Sequence, residues 1–339
     1  MSKTAIITGI GGMDGFYLSR LLLEKNYRVV GILRRSANKN DARLRTLQGS
    51  PNLHLVYGDV TDAASISTIV EQFRPDEFYH LAANSFVGCS WTSPNHVFET
   101  NTIGVINCLE ALRQFKKDCR FYFAGSSEMY GDYVKRKGGN VLLDENSPMI
   151  AASPYGVSKV AGYQMTKVYR ESYDMFAACG ILFNHSAPHR GEEFFTRKVT
   201  SQLAKIFWGR QDQLVLGNLT AKRDEGYSDD YVKAMWLMLQ HDKPDDFVIS
   251  TGETHSCLEW LDHTLDFFHL SSDCVTTSSS LIRPNEVNVL IGDSTKAREV
   301  LGWTPSVSYK ELNTKMCCYD YHLQSSNPEF ARRADEFLF

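Results

Sequence analysis

Short apolar runs alternate with amphipathic stretches through the first half of the chain. Thr4 to Thr8, Tyr27 to Leu33, Leu53 to Tyr57, Glu77 to Ala82, Arg120 to Ala124 and Ala177 to Phe183 read as strands. Between them the apolar positions recur at helical spacing: Asp14 to Glu24 (with Tyr17, Leu18, Leu21 and Leu22), Ala63 to Phe73, Val97 to Phe115 and Pro154 to Tyr173. Strands that are apolar on both faces and separated by helices predict a parallel sheet covered on both sides. Right-handed crossovers make that a doubly wound α/β sheet. The pattern loosens after Phe183. A basic, aromatic stretch (Arg190 to Trp208) precedes Leu214 to Asn218, a helix is expected over Asp229 to Gln240 and a strand over Asp246 to Ser250. Two more helices are expected at Leu258 to Phe268 and Ser294 to Leu301, with a Ser/Thr-rich loop around Thr276 to Ser280. The second half therefore reads as a smaller C-terminal substrate lobe, interleaved with the last strands of the first unit.

Length and composition fit that picture. The 339 residues suffice for one large α/β unit plus a smaller lobe, and 43% hydrophobic with 22% charged residues is ordinary for a globular protein. A net charge of −4 gives no global reason to expect nucleic acid or an acidic membrane, so an anionic ligand needs a local basic pocket. The eight cysteines form no Cys-x-x-Cys pair and no zinc spacing, as expected of thiols in a reducing compartment, and no metal site is expected. The chain enters its first strand almost at once, leaving no room for a signal peptide, and no apolar run reaches the ~20 residues of a membrane span. A cytoplasmic protein is the expectation.

The candidate chemistry gathers at strand ends. Gly9, Gly12 and Gly15 lie between the first strand and first helix, where small residues let backbone N–H groups and a helix N-terminus approach a pyrophosphate. That makes the sheet a dinucleotide-binding (Rossmann-type) one. The second strand ends in Arg34, Arg35 and Ser36 rather than the acid that holds ribose hydroxyls, which suits the 2′-phosphate of NADP. Asp59 follows the third strand, where it can accept from an adenine amino group, and Asp62 is placed to cap the next helix. Leu81, Ala82 and Ala83 end the fourth strand with residues that let the chain pass close to the cofactor. Tyr155 and Lys159 lie four apart on a helix and share a face. A unit charge at ~4 Å with an effective dielectric of ~20 contributes about 4 kcal/mol, enough to bring a tyrosine into range as a general base. Ser126 and Glu128 follow the fifth strand. Glu128 reads either as a base for a carbon-bound proton or as an ordinary helix-start carboxylate.

Taken together, these stretches resemble the extended short-chain dehydrogenase/reductase superfamily and, within it, the GDP-mannose 4,6-dehydratase family. The specific segments are Ile6–Gly9, Gly31–Ser36, Ser126–Gly131, Ser153–Gly156, Gly180–His185, Thr196–Lys198, Leu216–Leu219, Ala221–Asp224, Asp230–Val232, Ala234–Gln240 and Arg283–Val287. The resemblance implies recycled NADP and a 4-keto-6-deoxy product. Tyr155 would take the 4-hydroxyl proton as hydride leaves carbon 4. Ser126 would polarise that oxygen, and Glu128 would remove the carbon-5 proton and pass one to the departing 6-hydroxyl. Met13, Asp14 and Val60 join the implied cofactor site. Ser85, Asn184, Lys198, Leu216, Asn218, Arg223, Arg283 and Glu286 form the implied site for a GDP-sugar. Residues 1–183, with 218–251 contributing, would be the NADP-binding domain, and 184–217 with 252–339 the nucleotide-sugar lobe. A homodimer or homotetramer is implied, with the helices at Val97–Phe115 and Pro154–Tyr173 pairing across the interface and Arg34 and Arg35 reaching a neighbour's cofactor. The departures sit near the sugar: Ser186 and Ala187 replace Glu and Ser, His189 and Glu225 also differ, and Ala83 to Ser90 is altered. They suggest an altered sugar, such as a GDP-heptose or one of different configuration, so the expected substrate is GDP-mannose or a closely related GDP-sugar such as a GDP-manno-heptose. An epimerase, decarboxylase or 4-dehydrogenase on the same fold is the alternative.

Overall fold

The computed structural model describes residues 2–36, 42–139, 141–282 and 284–338. Strands are β1 (Thr4–Thr8), β2 (Arg28–Leu33), β3 (Leu53–Tyr57), β4 (Glu77–His80), β5 (Arg120–Ala124), β6 (Leu142–Leu143), β7 (Ala177–Leu182), β8 (Asn184–Ser186), β9 (Leu214–Leu216), β10 (Lys222–Arg223), β11 (Glu225–Tyr227), β12 (Asp246–Ile249), β13 (His255–Ser256), β14 (Val275–Thr277) and β15 (Val289–Gly292). Helices are α1 (Met13–Glu24), α2 (Ala63–Phe73), α3 (Pro94–Phe98), α4 (Gly104–Phe115), α5 (Gly131–Arg136), α6 (Pro154–Tyr173), α7 (Phe195–Phe207), α8 (Ser228–Gln240), α9 (Cys257–Phe268), α10 (Thr295–Leu301), α11 (Tyr309–Leu323) and α12 (Pro328–Arg332).

Seven strands form one parallel sheet in the order β12-β7-β5-β4-β1-β2-β3. Its middle strands are buried on both faces: Ala5, Ile6 and Ile7 of β1, and Phe121, Tyr122 and Phe123 of β5, have no exposed surface. This is the doubly wound architecture that the apolar runs predict. The chain winds outward from β1 to β3, then crosses back to β4 on the other side of β1. That reversal opens a crevice at the carboxyl ends of β1 and β4. Local signals fix the flanking helices. Asp62 caps α2, accepting from Ala64 N at 3.0 Å and Ser65 N at 3.2 Å, as expected. Ser153 caps α6, accepting from Gly156 N at 3.0 Å, with Pro154 in the first turn.

The structure departs from expectation at three places. The helix expected over Val97 to Phe115 is interrupted by a π turn at Glu99–Ile103. The side chains there explain it: Asn101 donates to Ser158 Oγ (3.1 Å) and Asn84 O, and Thr102 donates to Ser158 O (3.0 Å), so a wider turn keeps both facing α6. Second, α7 and α11 were not evident in the pattern. They pack together with α9 to form the core of the second lobe, joined by the buried pair Arg197 and Asp320 and by Trp260, whose Nε1 donates to Thr196 O at 3.1 Å. Third, the Ser/Thr-rich segment supplies β14, which pairs with β9. Two further small sheets complete the lobe, β13-β10-β15-β6 and β11-β8. The cysteines are free, four of them buried. Among the described residues no helix is long and apolar enough to cross a membrane.

Candidate active site

The crevice is a cavity of about 650 Å³ running from the glycine turn to the start of α6 and on to the second lobe. At one end, Gly9 has a left-handed φ of 69°, and a Cβ there would lie 2.8 Å from Ala82 N. The close approach is locked by Thr8 Oγ1, which accepts from both Leu81 N and Ala82 N at 3.1 Å. Gly12 takes the N-cap position of α1, where no side chain caps the helix, so the first N–H groups are left to a ligand. Gly15, Met13, Asp14, Arg34, Asp59, Val60 and Ala83 line the same space. Asp59 accepts from Thr61 N at 3.0 Å, which orients its carboxylate. Arg35 and Ser36 are exposed and continue outward from Arg34, outside the lining. A narrow backbone cradle, an open helix end and a neighbouring guanidinium fit a dinucleotide.

Ser126, Glu128, Tyr155 and Lys159 all line the cavity. Ser126 stands at the end of β5; its Oγ accepts from Glu128 N at 3.3 Å, and its side chain hydrogen-bonds the Tyr155 phenol. Burial pushes the Tyr155 phenol up to about 12; Ser126 and Arg190 pull it down, while Glu128 and Asp14 push it up. The sequence points to Lys159 as the cation that favours the phenolate. Here its Nζ donates to Ala124 O at 2.8 Å and stands 5.9 Å from the Tyr155 ring centroid. Burial brings the Lys159 ammonium down to about 8. Arg190 acts electrostatically on the phenol, a role the sequence did not reveal.

Arg190 belongs to a polar group that joins the two lobes. Its Nε is buried with no hydrogen-bond partner among the described residues, and the side chain lines the cavity. His185 Nε2 pairs with Asp14 Oδ2 at 3.0 Å, and Ser228 donates to Asp14 Oδ1 at 2.6 Å. Burial alone would raise Asp14, but His185 and Ser228 outweigh it and hold the carboxyl low; His185 is raised, because Asp14 outweighs the burial that opposes its charge. Arg43 ties the two sides, donating to Gly11 O (3.0 Å) and His189 O (2.8 Å). The altered residues meet here too: Ser186 Oγ donates to Glu225 Oε1 at 2.5 Å and contacts Thr196 Oγ1 at 2.7 Å. Burial raises the Glu225 carboxyl, with Arg190 and Ser186 opposing.

The residues expected to hold the substrate divide. Ser85, Asn184 and Arg223 line the cavity. Lys198, Leu216, Asn218 and Glu286 lie beyond it on the second lobe. Lys198 Nζ donates to Val215 O at 2.8 Å, Leu216 is buried in β9, and Asn218 accepts from Thr220 N. Arg223 links the two sets through an ion pair with Glu286 at 2.9 Å. Arg283 lies outside the described residues. No group of three or more His, Cys, Asp or Glu side chains able to hold a metal ion occurs among the described residues.

Comparison with known proteins bears on this geometry. The family described as GDP-mannose 4,6 dehydratase matches residues 6–316. GDP-mannose 4,6 dehydratase 1 of Arabidopsis thaliana is 42% identical over 332 residues, covering 95% of this chain and 90% of that protein. GDP-mannose 4,6-dehydratase of Yersinia enterocolitica is 38% identical over 370 residues, covering 99% and 98%. In fold, the dTDP-glucose 4,6-dehydratase of Bacillus anthracis, solved in complex with NAD, superimposes with a TM-score of 0.83 at 15% identity, covering 98% of this chain and 100% of that one. With a match spanning nearly its whole length, the chain belongs to the GDP-mannose 4,6-dehydratase family.

Proposed function

We propose that this chain is a hydro-lyase that converts GDP-mannose, or a closely related GDP-sugar such as a GDP-manno-heptose, to its 4-keto-6-deoxy product. The observation that carries the reading is the convergence of Ser126, Glu128, Tyr155 and Lys159 on one cavity with the glycine turn. A nicotinamide dinucleotide supplies, when bound, a hydride store lent to at carbon 4 and drawn on at carbon 6, so no external reductant is consumed. Gly9, Gly12, Met13, Asp14, Gly15, Asp59, Val60, Leu81, Ala82 and Ala83 would hold it. Arg34, Arg35 and Ser36 favour NADP over NAD, because guanidinium groups pair with a 2′-phosphate.

Tyr155 takes the proton from the 4-hydroxyl, with Ser126 hydrogen-bonded to the same oxygen. The resulting ketone acidifies carbon 5. Glu128 removes the carbon-5 proton and gives one to the 6-hydroxyl, which departs as water, and carbon 5 regains a proton, balancing the one taken by Tyr155, as carbon 6 is reduced. Arg190, together with Lys159 5.9 Å from the Tyr155 ring centroid, would supply the positive charge that favours the phenolate. Asn184 and Arg223 in the cavity would receive the diphosphate side of the substrate, with Lys198, Leu216, Asn218 and Glu286 beyond them; the resemblance adds Arg283 to this set, and the lobe of residues 184–217 and 252–339 would carry most of it. Phe98, Ile103, Val157, Val168 and Tyr173 are exposed apolar residues on α3, the π turn and α6, and they support a homodimer or homotetramer formed through these helices.

The test is incubation of the purified protein with GDP-mannose and no added cofactor, with the nucleotide sugar followed by mass spectrometry. Loss of one water, abolished by Glu128→Gln and by Tyr155→Phe, is the expected result. Loss of carbon dioxide, loss of two hydrogens or an unchanged mass with altered configuration would replace dehydration with one of the alternative reactions.

A further inference from the structure

Two loops from opposite halves of the chain meet over the cavity. The loop after β4 carries Phe86, and the segment before α7 carries Phe194. Both line the cavity, and their rings touch edge to face with centroids 5.7 Å apart.

Each ring is held in place. Asn84 N donates to Asn101 Oδ1 at 2.8 Å, and Asn101 donates to Ser158 Oγ, one residue before Lys159. Cys89 N donates to Phe86 O at 3.1 Å, which closes the loop. The Phe86 ring rests on Gly88, where an added Cβ would come within 3.0 Å of the ring. On the other side, the Arg190 guanidinium lies 3.8 Å from the Phe194 ring centroid. Phe194 N donates to Gly191 O at 3.1 Å, and Arg197 donates to the carbonyl of Arg190 at 3.0 Å. Val87, next to Phe86, packs with Val97 on the Tyr155 ring in a small buried cluster. The aromatic pair therefore borders the tyrosine end of the cavity.

We infer that Phe86 and Phe194 form a clamp across the two lobes that grips the sugar and sets which substituents at carbon 6 are accepted. This rests on the dehydratase reading of the same site. Oxygen 4 must face Tyr155 in that reading, and carbon 6 is one carbon beyond its neighbour, carbon 5. Two phenyl rings border that flank, with the Arg190 guanidinium stacked on one of them. An added carbon there must displace a ring that already lies against Gly88. A shape-based pocket of this kind discriminates by roughly 10- to 200-fold.

The experiment offers GDP-mannose and a GDP-manno-heptose together to the wild-type enzyme and to Phe86→Ala, Phe86→Leu and Phe194→Ala, and measures the ratio of kcat/KM for the two sugars. Cofactor binding by fluorescence and the unfolding midpoint identify any variant that has lost its fold, and Phe86→Leu retains most of the volume. The clamp predicts that the heptose-to-hexose ratio rises by about tenfold or more in Phe86→Ala, less in Phe86→Leu, and in the same direction in Phe194→Ala. A ratio constant within about twofold across all three variants overturns the clamp and leaves the dehydratase reading standing. Failure of the wild-type enzyme to dehydrate either sugar overturns the reading itself, and the clamp with it.

Discussion

Replacing Lys159 with methionine is expected to stabilise the cofactor-free protein at neutral pH while stopping turnover. The side chain is 3% exposed, and its ammonium donates to the Ala124 carbonyl at 2.8 Å, with the Phe123 ring centroid 5.1 Å away. Burial brings its pKa to about 8, against 10.5 for a free lysine. At about 1.4 kcal/mol per pH unit, a protonated Lys159 disfavours the folded state by roughly 3 kcal/mol. Methionine has similar length and removes that charge, but it leaves the Ala124 carbonyl without the ammonium donor, a loss of about 1–2 kcal/mol. The net gain is about 1–2 kcal/mol, or about 2 °C, since unfolding entropy near 2.1 cal/mol/K per residue gives roughly 0.7 kcal/mol/K for a chain of this length. The pH dependence is the sharper test. Because the folded pKa is the lower one, the unfolded chain binds more protons between about pH 8 and pH 10.5. The wild-type deficit is therefore complete below pH 8, fades through that window and is gone above it. Urea unfolding of both proteins from about pH 7 to pH 10 should show the gap closing. A variant less stable than wild type at pH 7 by more than about 1 kcal/mol, or a gap that does not change with pH, would refute the reasoning.

Other perturbations probe the parts separately. Gly15→Ala would put a Cβ 2.5 Å from Ile10 O and 2.6 Å from Gly9 O, so the turn must shift; dinucleotide affinity, read by fluorescence titration, should fall at least about tenfold, and an unchanged affinity would show that the cradle lies elsewhere. Arg197→Met strands the fully buried Asp320 carboxylate and should lose about 3–5 kcal/mol in urea unfolding. Adding Asp320→Leu should restore most of that loss, and a double variant as unstable as the single would argue against an uncompensated charge as the cause. Asp62→Ala removes the cap of α2 at the surface and should lower stability by about 1 kcal/mol with turnover intact.

What the sequence showed, and what it hid, follows from the range of the interactions. The strands of the main sheet were legible because burial on both faces leaves unbroken apolar runs such as Ala5–Ile7 and Phe121–Phe123. The Asp62 cap and the helix that carries Tyr155 and Lys159 depend on residues within four positions of each other. By contrast, α7 carries Arg197 and Lys198 in its first turn, and the arginine is buried only because Asp320 arrives from α11, 123 residues later. Its charge therefore read as surface. Strands β10 and β15 are too short to show a period and exist through the pairing of Lys222 with Val289. The four catalytic candidates could be named from local motifs. Arg190, His185 and Arg43 could not be given their contacts, since each reaches a partner in another part of the chain: His185 to Asp14, and Arg43 to Gly11 and His189. Phe86 and Phe194 carried no signal beyond apolar loop residues; their meeting is purely tertiary.

The position of β12 has a consequence for modularity. The strand completes the edge of the main sheet beside β7, yet the chain between them makes an excursion through β8, α7, β9, β10, β11 and α8. No single cut can release all seven strands free of this excursion, because such a fragment would have to leave the chain after Leu182 and rejoin it at Asp246. Exchange of sugar specificity between relatives by recombination must therefore graft at least two separate segments, and a crossover inside the excursion would pair one parent's sheet edge with the other's pocket. Point substitution at the loops over the cavity is the shorter path to a new sugar, and a fold wired in this way should diversify by changes such as those at Phe86, Ser186 and Glu225 rather than by domain shuffling.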